Sequence, residues 1–440
     1  MDKSINTSTS TAVKTSIPIA QKLSLGIMML GAFIAFFAVV AGLTNQLVKP
    51  SGKPSASGVI ACENPGHCYY LSPSGNDTND GSLNHPWATL GRADDTLRPG
   101  DYLYITGGNY SMTAEQRFKA REAHKGTKER HITIKSYCDR MAYFTISGET
   151  EDGAVFDVKR GADWFTVDGL CGTRRFLIFT PTQYTRLVSI GHENDSGSNL
   201  NVPGEGLDSR QTYHVSFRGI ELDGSRVNVG MSGAPPFWAH SSDFVTLENS
   251  YIHDFWQPTG GAPGGCCHKE HPEDPDTCNR GPGHVCSGDE EVQGSPSCVA
   301  VGGSDFFLIK NNKLERCNFG GIEIAMDAGW WHEVNEVGVT TPRTHLSQYG
   351  KIQNNLIDVR YGGGIYLNPA SHNLVEGNKV FHIGETTTHS KPGIQFMGVH
   401  NTIRDNIFYS PKGAPGSNAW VYRFPVSVTR INTISLPAII

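Results

Sequence analysis

Three short segments place polar groups where they could act together. Gly321–Ile324, Gly364–Leu367 and Gly393–Phe396 align without a gap. If Ile322, Ile365 and Ile394 point inward, the two-residue period of a strand turns Glu323, Tyr366 and Gln395 outward in one column. The turns before these strands add Arg316, Arg360 and His382, and Lys391 opens the third strand. Carboxyl, phenol, carboxamide and cationic groups sharing one surface can hold hydroxyl and acidic groups and move protons between them. Trp330 and Trp331 follow Glu323 closely and offer rings of the kind that stack on sugar faces. The competing reading is a solvated face with no chemistry. Hydrolysis of a glycosidic bond needs two carboxyls roughly 5 to 10 Å apart. Glu323 and Asp327 are too far apart along an extended strand, unless the chain turns back after Ala325.

Metal and disulfide chemistry compete for a second set of residues. Cys62, Cys68, Cys138, Cys171, Cys266, Cys267, Cys278, Cys286, Cys298 and Cys317 make an even count, as disulfides require. Cys62 and Cys68 are close enough to bridge locally. Cys266, Cys267, Cys278, Cys286, His268 and His271 supply zinc-type ligands, yet adjacent cysteines and irregular spacing fit no compact ligand pair. Disulfides are the simpler explanation. For calcium, Asp274, Asp276, Asp289, Glu290 and Glu291 offer hard oxygen ligands, but without the spacing of an EF-hand.

Composition narrows the partners. Charged residues make up 18% of 440 and the formal net charge is −6, with no run of basic residues, which argues against nucleic acid. Residues 1–22 are polar and Ser/Thr-rich, and read as a disordered tail. Residues 23–48 are apolar for long enough to cross a bilayer, as an uncleaved anchor or a cleaved secretion signal. Either way the cysteine-bearing body lies outside the cytoplasm. Residues 49–60 form a tether, and the folded body runs from 61 to 440.

The elements that must position these groups show as an irregular repeat. Leu247–Ile252, Ile309–Leu314, Ile352–Ile357, Val375–Val380 and Ile403–Phe408 superpose, with steps of 62, 43, 23 and 28 residues. Their fourth positions are Ser250, Asn312, Asn355, Asn378 and Asn406, between apolar ends. The short steps suit one coil of a solenoid and the long ones a coil with a loop, which gives insertions at 257–300 and 327–350. Coils of a parallel β-helix stack about 4.8 Å apart, so one column of Asn would hydrogen-bond from coil to coil. Upstream, His131–Tyr137, Ala154–Val158 and His214–Leu222 also read as strands. The class is all-β.

The opening of the body adds a family resemblance. Tyr69–Leu71, a Gly75–Gly81 turn, Pro86–Leu90, and Pro99–Tyr110 resemble the N-terminal segment of right-handed parallel β-helix proteins, the pectate-lyase-like superfamily. That resemblance implies a short helix over 88–97 capping the solenoid. It also implies a carbohydrate partner, for which an acidic polysaccharide is the expected substrate and a lyase the expected activity. On that pattern Lys391 or His382 would be the base, Arg360 would neutralise the uronate carboxylate, and Tyr366 would donate a proton. Glu323, Gln395, Arg316, Trp330 and Trp331 would bind the chain. The Asp-Asp pair of the related pectin hydrolases is absent from these coils, since Asp94 and Asp95 fall in the cap. A hydrolase or uronate epimerase on the same fold, and a surface protein that binds glycan without cleaving it, remain the alternatives.

Overall fold

Alternating apolar residues in the sequence become three stacked columns in the structure, a computed structural model. It describes residues 67–113, 116–120, 125–148, 154–158, 161–182, 186–191, 212–226, 235–240, 242–255, 266–268, 290–292, 297–317, 320–325, 332–334, 340–342, 346–359, 363–368, 370–383, 392–396, 398–409 and 421–423. Each full coil contributes one strand to each of three parallel sheets, and the first coils contribute fewer, so that the sheets hold ten, nine and eight strands among the described residues. Sheet one begins with Cys68–Leu71 and Tyr102–Ile105 and ends with Leu374–Glu376 and Thr402–Arg404. Sheet two runs from Gly108–Thr113 to Ile407–Phe408, and sheet three from Ala154–Val158 to Val421–Arg423. All neighbours within these sheets pair in parallel, as in Ile352↔Val375 of sheet one and Ile322↔Ile365 of sheet three.

The register carries the core through the stack. Leu247, Ile309, Ile352, Val375 and Ile403 line sheet one; Ile252, Leu314, Ile357 and Val380 line sheet two; Val299, Ile322, Ile365 and Ile394 line sheet three. All are buried in one cluster. Phe144, Phe156, Phe179, Phe217 and Phe237 fill it towards the N-terminal end, where rings contact rings at 4.8–5.8 Å. Branched and aromatic side chains stand upright on a pleated strand and pack against the same position one coil away.

The expected Asn column is present, and it explains the sharp corner between sheets one and two. The Asn355 Oδ1 accepts from the Asn312 backbone N–H at 2.9 Å, and Asn378 and Asn406 repeat the pattern one coil on, each at 2.9 Å. Side-chain amides link the same residues at 2.9–3.1 Å. Ser250 begins the column, donating its N–H to Asn312 Oδ1 at 2.9 Å. The residue before each rung is left-handed: Asn249, Asn311, Asn354, Gly377 and Asp405 have φ of 55–68°. Short polar side chains and glycine tolerate that conformation best. The corner points backbone groups inward, and the Asn amide, with both donor and acceptor, bonds a backbone N–H and a carbonyl of the preceding coil, as Asn355 does with Asn312 and Ile309.

The cap helix is Leu90–Thr96, shorter than the expected 88–97. Thr89 caps it, accepting from the Arg92 N–H at 3.2 Å, and Asp77 fixes the approach by accepting from the Ala88 and Thr89 N–H groups at 2.8 and 3.0 Å. Leu90, Ala93 and Leu97 join the common core with Trp87. Cys138 bridges Cys171 and Cys298 bridges Cys317, with Cα atoms 5.6 and 5.4 Å apart; Cys68 is also disulfide-bonded. The insertion expected over 257–300 ends earlier, because Val299–Gly302 belongs to sheet three, and it contains the antiparallel pair Cys266–His268 with Glu290–Val292. The insertion expected over 327–350 contains the pair His332–Val334 with Thr340–Pro342 and gives Ser347–Gln348 back to the coil. The expected tail, apolar segment and tether lie outside the described residues. Among the described residues no helix is long and apolar enough to cross a membrane.

Candidate functional site on the outer face of sheet three

The interruptions expected at 257–300 and 327–350 both leave the coil beside sheet three, one before its strands and one after. The outward positions of that sheet fall in register as Asp157, Ser189, Trp238, Ala300, Glu323, Tyr366 and Gln395. The expected line Glu323–Tyr366–Gln395 is therefore a true column. It is not a solvated face: Tyr366 is 4% exposed and Asp157 and Ser189 are 2% exposed. Beside it runs a second outward line, His240, Gly302, Ala325 and Asn368. Gln395 Nε2 donates to Asn368 Oδ1 at 3.1 Å and joins the two. Between Trp238 and His240 on one side and Glu323 and Asn368 on the other, the floor falls to the small residues Ala300, Gly302 and Ala325.

Burial sets the protonation of this floor. It raises the Glu323 carboxyl above its ordinary value, against a hydrogen bond from Ser297 Oγ to Glu323 Oε2 at 3.2 Å that favours the charged form. Burial also pushes the Tyr366 phenol up, the neighbouring Glu323 adding to it, so Tyr366 keeps its proton. Trp238 carries the Arg186 guanidinium 4.3 Å from its ring centre.

Arg316 and His382 lie elsewhere, in one column at the corner between sheets two and three. Asp254 and Arg316 occupy the same corner position in successive coils, and both have positive φ, as does His382. Arg316 forks onto Asp254, with Nη2 2.7 Å from Oδ2 and Nε on Oδ1, and reaches Glu315 at 3.3 Å. Its charge is thus balanced within the protein. His382 Nδ1 is 2.8 Å from Asp358 Oδ1, which fixes the ring and leaves Nε2 towards the half-exposed side. Arg360, Lys391, Trp330 and Trp331 lie outside the described residues.

The same corner holds a buried histidine that the sequence did not single out. His253 Nδ1 is 2.6 Å from Asp254 Oδ2, and Nε2 is 3.4 Å from Glu221 Oε1. Burial alone would lower its pKa, but the hydrogen bonds to Glu221 and Asp254 and the charge of Asp223 raise it above the ordinary value. Burial would raise Asp254, yet Arg316 and His253 hold it down at about 2. Tyr251 donates to Glu315 at 2.6 Å and Lys313 pairs with Glu315 at 2.6 Å. Asp223, His253 and Asp254 place ligand atoms within 4.8 Å of one another. They do not suit calcium, which takes six to eight oxygens; one donor here is a nitrogen, and Asp254 is already engaged by Arg316. Of the residues expected to offer calcium ligands, Asp274, Asp276 and Asp289 lie outside the described residues, and Glu290 and Glu291 are placed by the backbone of their strand alone.

A third feature was also missed. Trp164, His214, Phe244, Phe306, Tyr349, His372 and His400 stack in one ladder along the corner before sheet one, with ring centres 3.8–5.3 Å apart. All have φ of 55–59°. A signal existed: from Phe244 onward each ring stands three residues before the first position of the repeat, at Leu247, Ile309, Ile352, Val375 and Ile403. Because the rings face one another, they present edges rather than faces to solvent.

Comparison with known proteins agrees with the architecture. Residues 290–419 match the family model of the right-handed beta helix region. The uncharacterized protein YwoF of Bacillus subtilis (strain 168) is 30% identical over 95 residues, which span 22% of this chain and 19% of that protein. The chain thus matches about a fifth of that relative's length. Among solved structures, a glycoside hydrolase superposes at 10% identity with a TM-score of 0.42, over 79% of this chain and 89% of that one. A rhamnogalacturonan lyase superposes at 14% identity and 0.37, over 83% and 87% of the two chains. An alginate lyase from a Paenibacillus species does so at 13% and 0.37, over 77% and 95%. The strand topology and the family match together make the fold a right-handed parallel β-helix.

Proposed function

We propose that the protein acts outside the cytoplasm on a polysaccharide laid along the outer face of sheet three, and that its reaction is β-elimination on an acidic chain. The observation that carries this reading is the floor column itself, in which Glu323 lies in register beside Tyr366, a phenol that burial keeps protonated. A buried phenol can return a proton to a leaving oxygen. The low floor at Ala300, Gly302 and Ala325, between an indole and a carboxyl, suits one sugar ring. Disulfides at Cys138–Cys171 and Cys298–Cys317 fit an oxidising compartment.

In the proposed reaction a base removes the proton beside the uronate carboxylate. The electron pair forms a carbon–carbon double bond, and the glycosidic carbon–oxygen bond breaks. The leaving oxygen takes up a proton. Tyr366 is the described candidate for the donor, Lys391 the candidate base and Arg360 the partner of the carboxylate; His382, held by Asp358 on the corner column, is set aside as the base. Glu323 and Gln395 would hold the chain by hydrogen bonds, with Trp330 and Trp331 stacking on it.

Hydrolysis finds less support among the described residues. The other carboxyl of the floor column, Asp157, is four rungs from Glu323, about 19 Å at the spacing of stacked strands. That exceeds the roughly 5 to 10 Å of a glycosidase pair.

The test is to incubate the purified protein with a panel of uronate polymers, with and without calcium, and to follow the ultraviolet absorbance of unsaturated product. Product should form with at least one polymer, and Tyr366→Phe should slow it about 100-fold or more. Binding without product would favour a glycan-binding surface protein, and reducing ends without unsaturation a hydrolase. Either outcome removes the lyase reading.

A further inference from the structure

The chain leaves the coil after Phe255 and re-enters it at Ser297, and both points are fastened to the same dipeptide of the next coil. On the departing side, Asp254 is forked by Arg316. On the returning side, Cys298 is bonded to Cys317. Between the returning strand and its successor, Ser297 Oγ donates to Glu323 Oε2 at 3.2 Å. Ser297 is 2% exposed, so its hydroxyl is committed inside the protein. It also precedes Cys298 directly, and Cys298 is buried.

We propose that Ser297 is a positioning residue for Glu323, held in reach by a clamp that closes at Arg316 and Cys317. The clamp fixes where residue 297 stands relative to the strand Gly320–Ala325, which pairs with Val299–Gly302 from Val299↔Ile322 onward. A hydroxyl so fixed donates to one carboxylate oxygen and sets the orientation of the other. It also resists the effect of burial by stabilising the charged form. Residues 256–296 leave and rejoin the coil at these two points. An unfastened return would let the serine rotate away from the carboxylate without breaking the ladder at Val299. Loop closure at both ends by contacts to one dipeptide removes that freedom.

This inference rests on the reading of Glu323 as a group of the glycan floor, but its test uses no glycan. The Glu323 carboxyl is followed by carbon-detected NMR through a pH titration of the intact protein. Ser297→Ala should raise the Glu323 midpoint by about one pH unit, the equivalent of one hydrogen bond to a charged group. Ser297→Thr, which keeps a hydroxyl, should restore most of the shift. Cys298→Ala with Cys317→Ala should raise the midpoint in the same direction, and adding Ser297→Ala to that pair should add little, because both act through one contact. Ser250→Ala, an equally buried serine in the Asn column, should leave it unmoved. An unmoved midpoint in Ser297→Ala, or an equal shift in Ser250→Ala, overturns the proposal. Failure of the lyase assay with these shifts present would count against the glycan reading alone.

Discussion

Asn355→Ala tests whether side-chain amides hold the corner between sheets one and two. The Asn355 side chain makes four hydrogen bonds: Oδ1 accepts from Asn312 N–H and Nδ2 at 2.9 and 3.1 Å, and Nδ2 donates to the Ile309 carbonyl and Asn378 Oδ1, both at 2.9 Å. Truncation leaves the Asn312 N–H without its acceptor. The Ile309 carbonyl loses its bond from the amide, while the other two partners keep one each: Asn312 Nδ2 still donates to the Leu247 carbonyl, and Asn378 Oδ1 still accepts from the Asn355 N–H. Water cannot replace the amide cheaply, since Asn355 is 1% exposed. One orphaned buried donor costs about 1–3 kcal/mol, and each weakened bond adds a few tenths, for a total of about 2–4 kcal/mol. In a solenoid that loss falls on the neighbouring coils first. Hydrogen exchange read by mass spectrometry should therefore show faster opening of peptides covering 309–381, with those covering 132–168 unchanged. Urea unfolding should give the magnitude, with Lys379→Ala, on the exposed face of sheet two, as a control within about 0.5 kcal/mol of the parent. A cost below about 1 kcal/mol, or uniform loss of protection along the chain, would refute the argument that the Asn amides are what satisfy the corner.

Further consequences can be measured in the same way. Asp254 is held at about 2, below its ordinary 3.8, so its contribution is complete above the ordinary value and lost as pH falls through about 2. Asp254→Asn should therefore cost about 1–2 kcal/mol near neutrality, after allowing for solvent screening, with the difference from the parent closing in strong acid; a constant difference down the pH scale would contradict the ion pair with Arg316. Replacing both Cys138 and Cys171 by Ala opens a link across 33 residues, and chain entropy puts the loss at about 3–4 kcal/mol in urea unfolding; no loss would mean that sheet register alone holds those two segments together.

Several elements were legible because they repeat at a fixed place in each coil. The Asn column announced itself by residue type at the fourth position of five segments, and the structure joins those residues by hydrogen bonds. The outward column Glu323–Tyr366–Gln395 followed from the period of two and the glycine that opens each strand. The ring ladder escaped notice although its offset is constant, because Trp, His, Phe and Tyr share no single chemical type and occupy a left-handed position that rings seldom take. The His253–Asp254–Arg316 network was invisible because its members come from coils 62 residues apart and two sides of one corner. The expected joint action of Arg316 and His382 with Tyr366 reflected closeness in sequence, whereas the corner turns them onto a different column.

The amino-acid sequence by itself determined the coil. Apolar alternation, Asn at the corner and Gly, Asn or Asp in the left-handed position are local requirements of a turn and a strand, and the later coils state them again. Only the tertiary structure decided what the surface groups do. Burial of Tyr366 and Glu323, the balancing of Arg316 by Asp254, and the meeting of Ser297 with Glu323 depend on which coil lies above which and on where the insertions leave and return. Those distances arise from stacking, and no single coil encodes them.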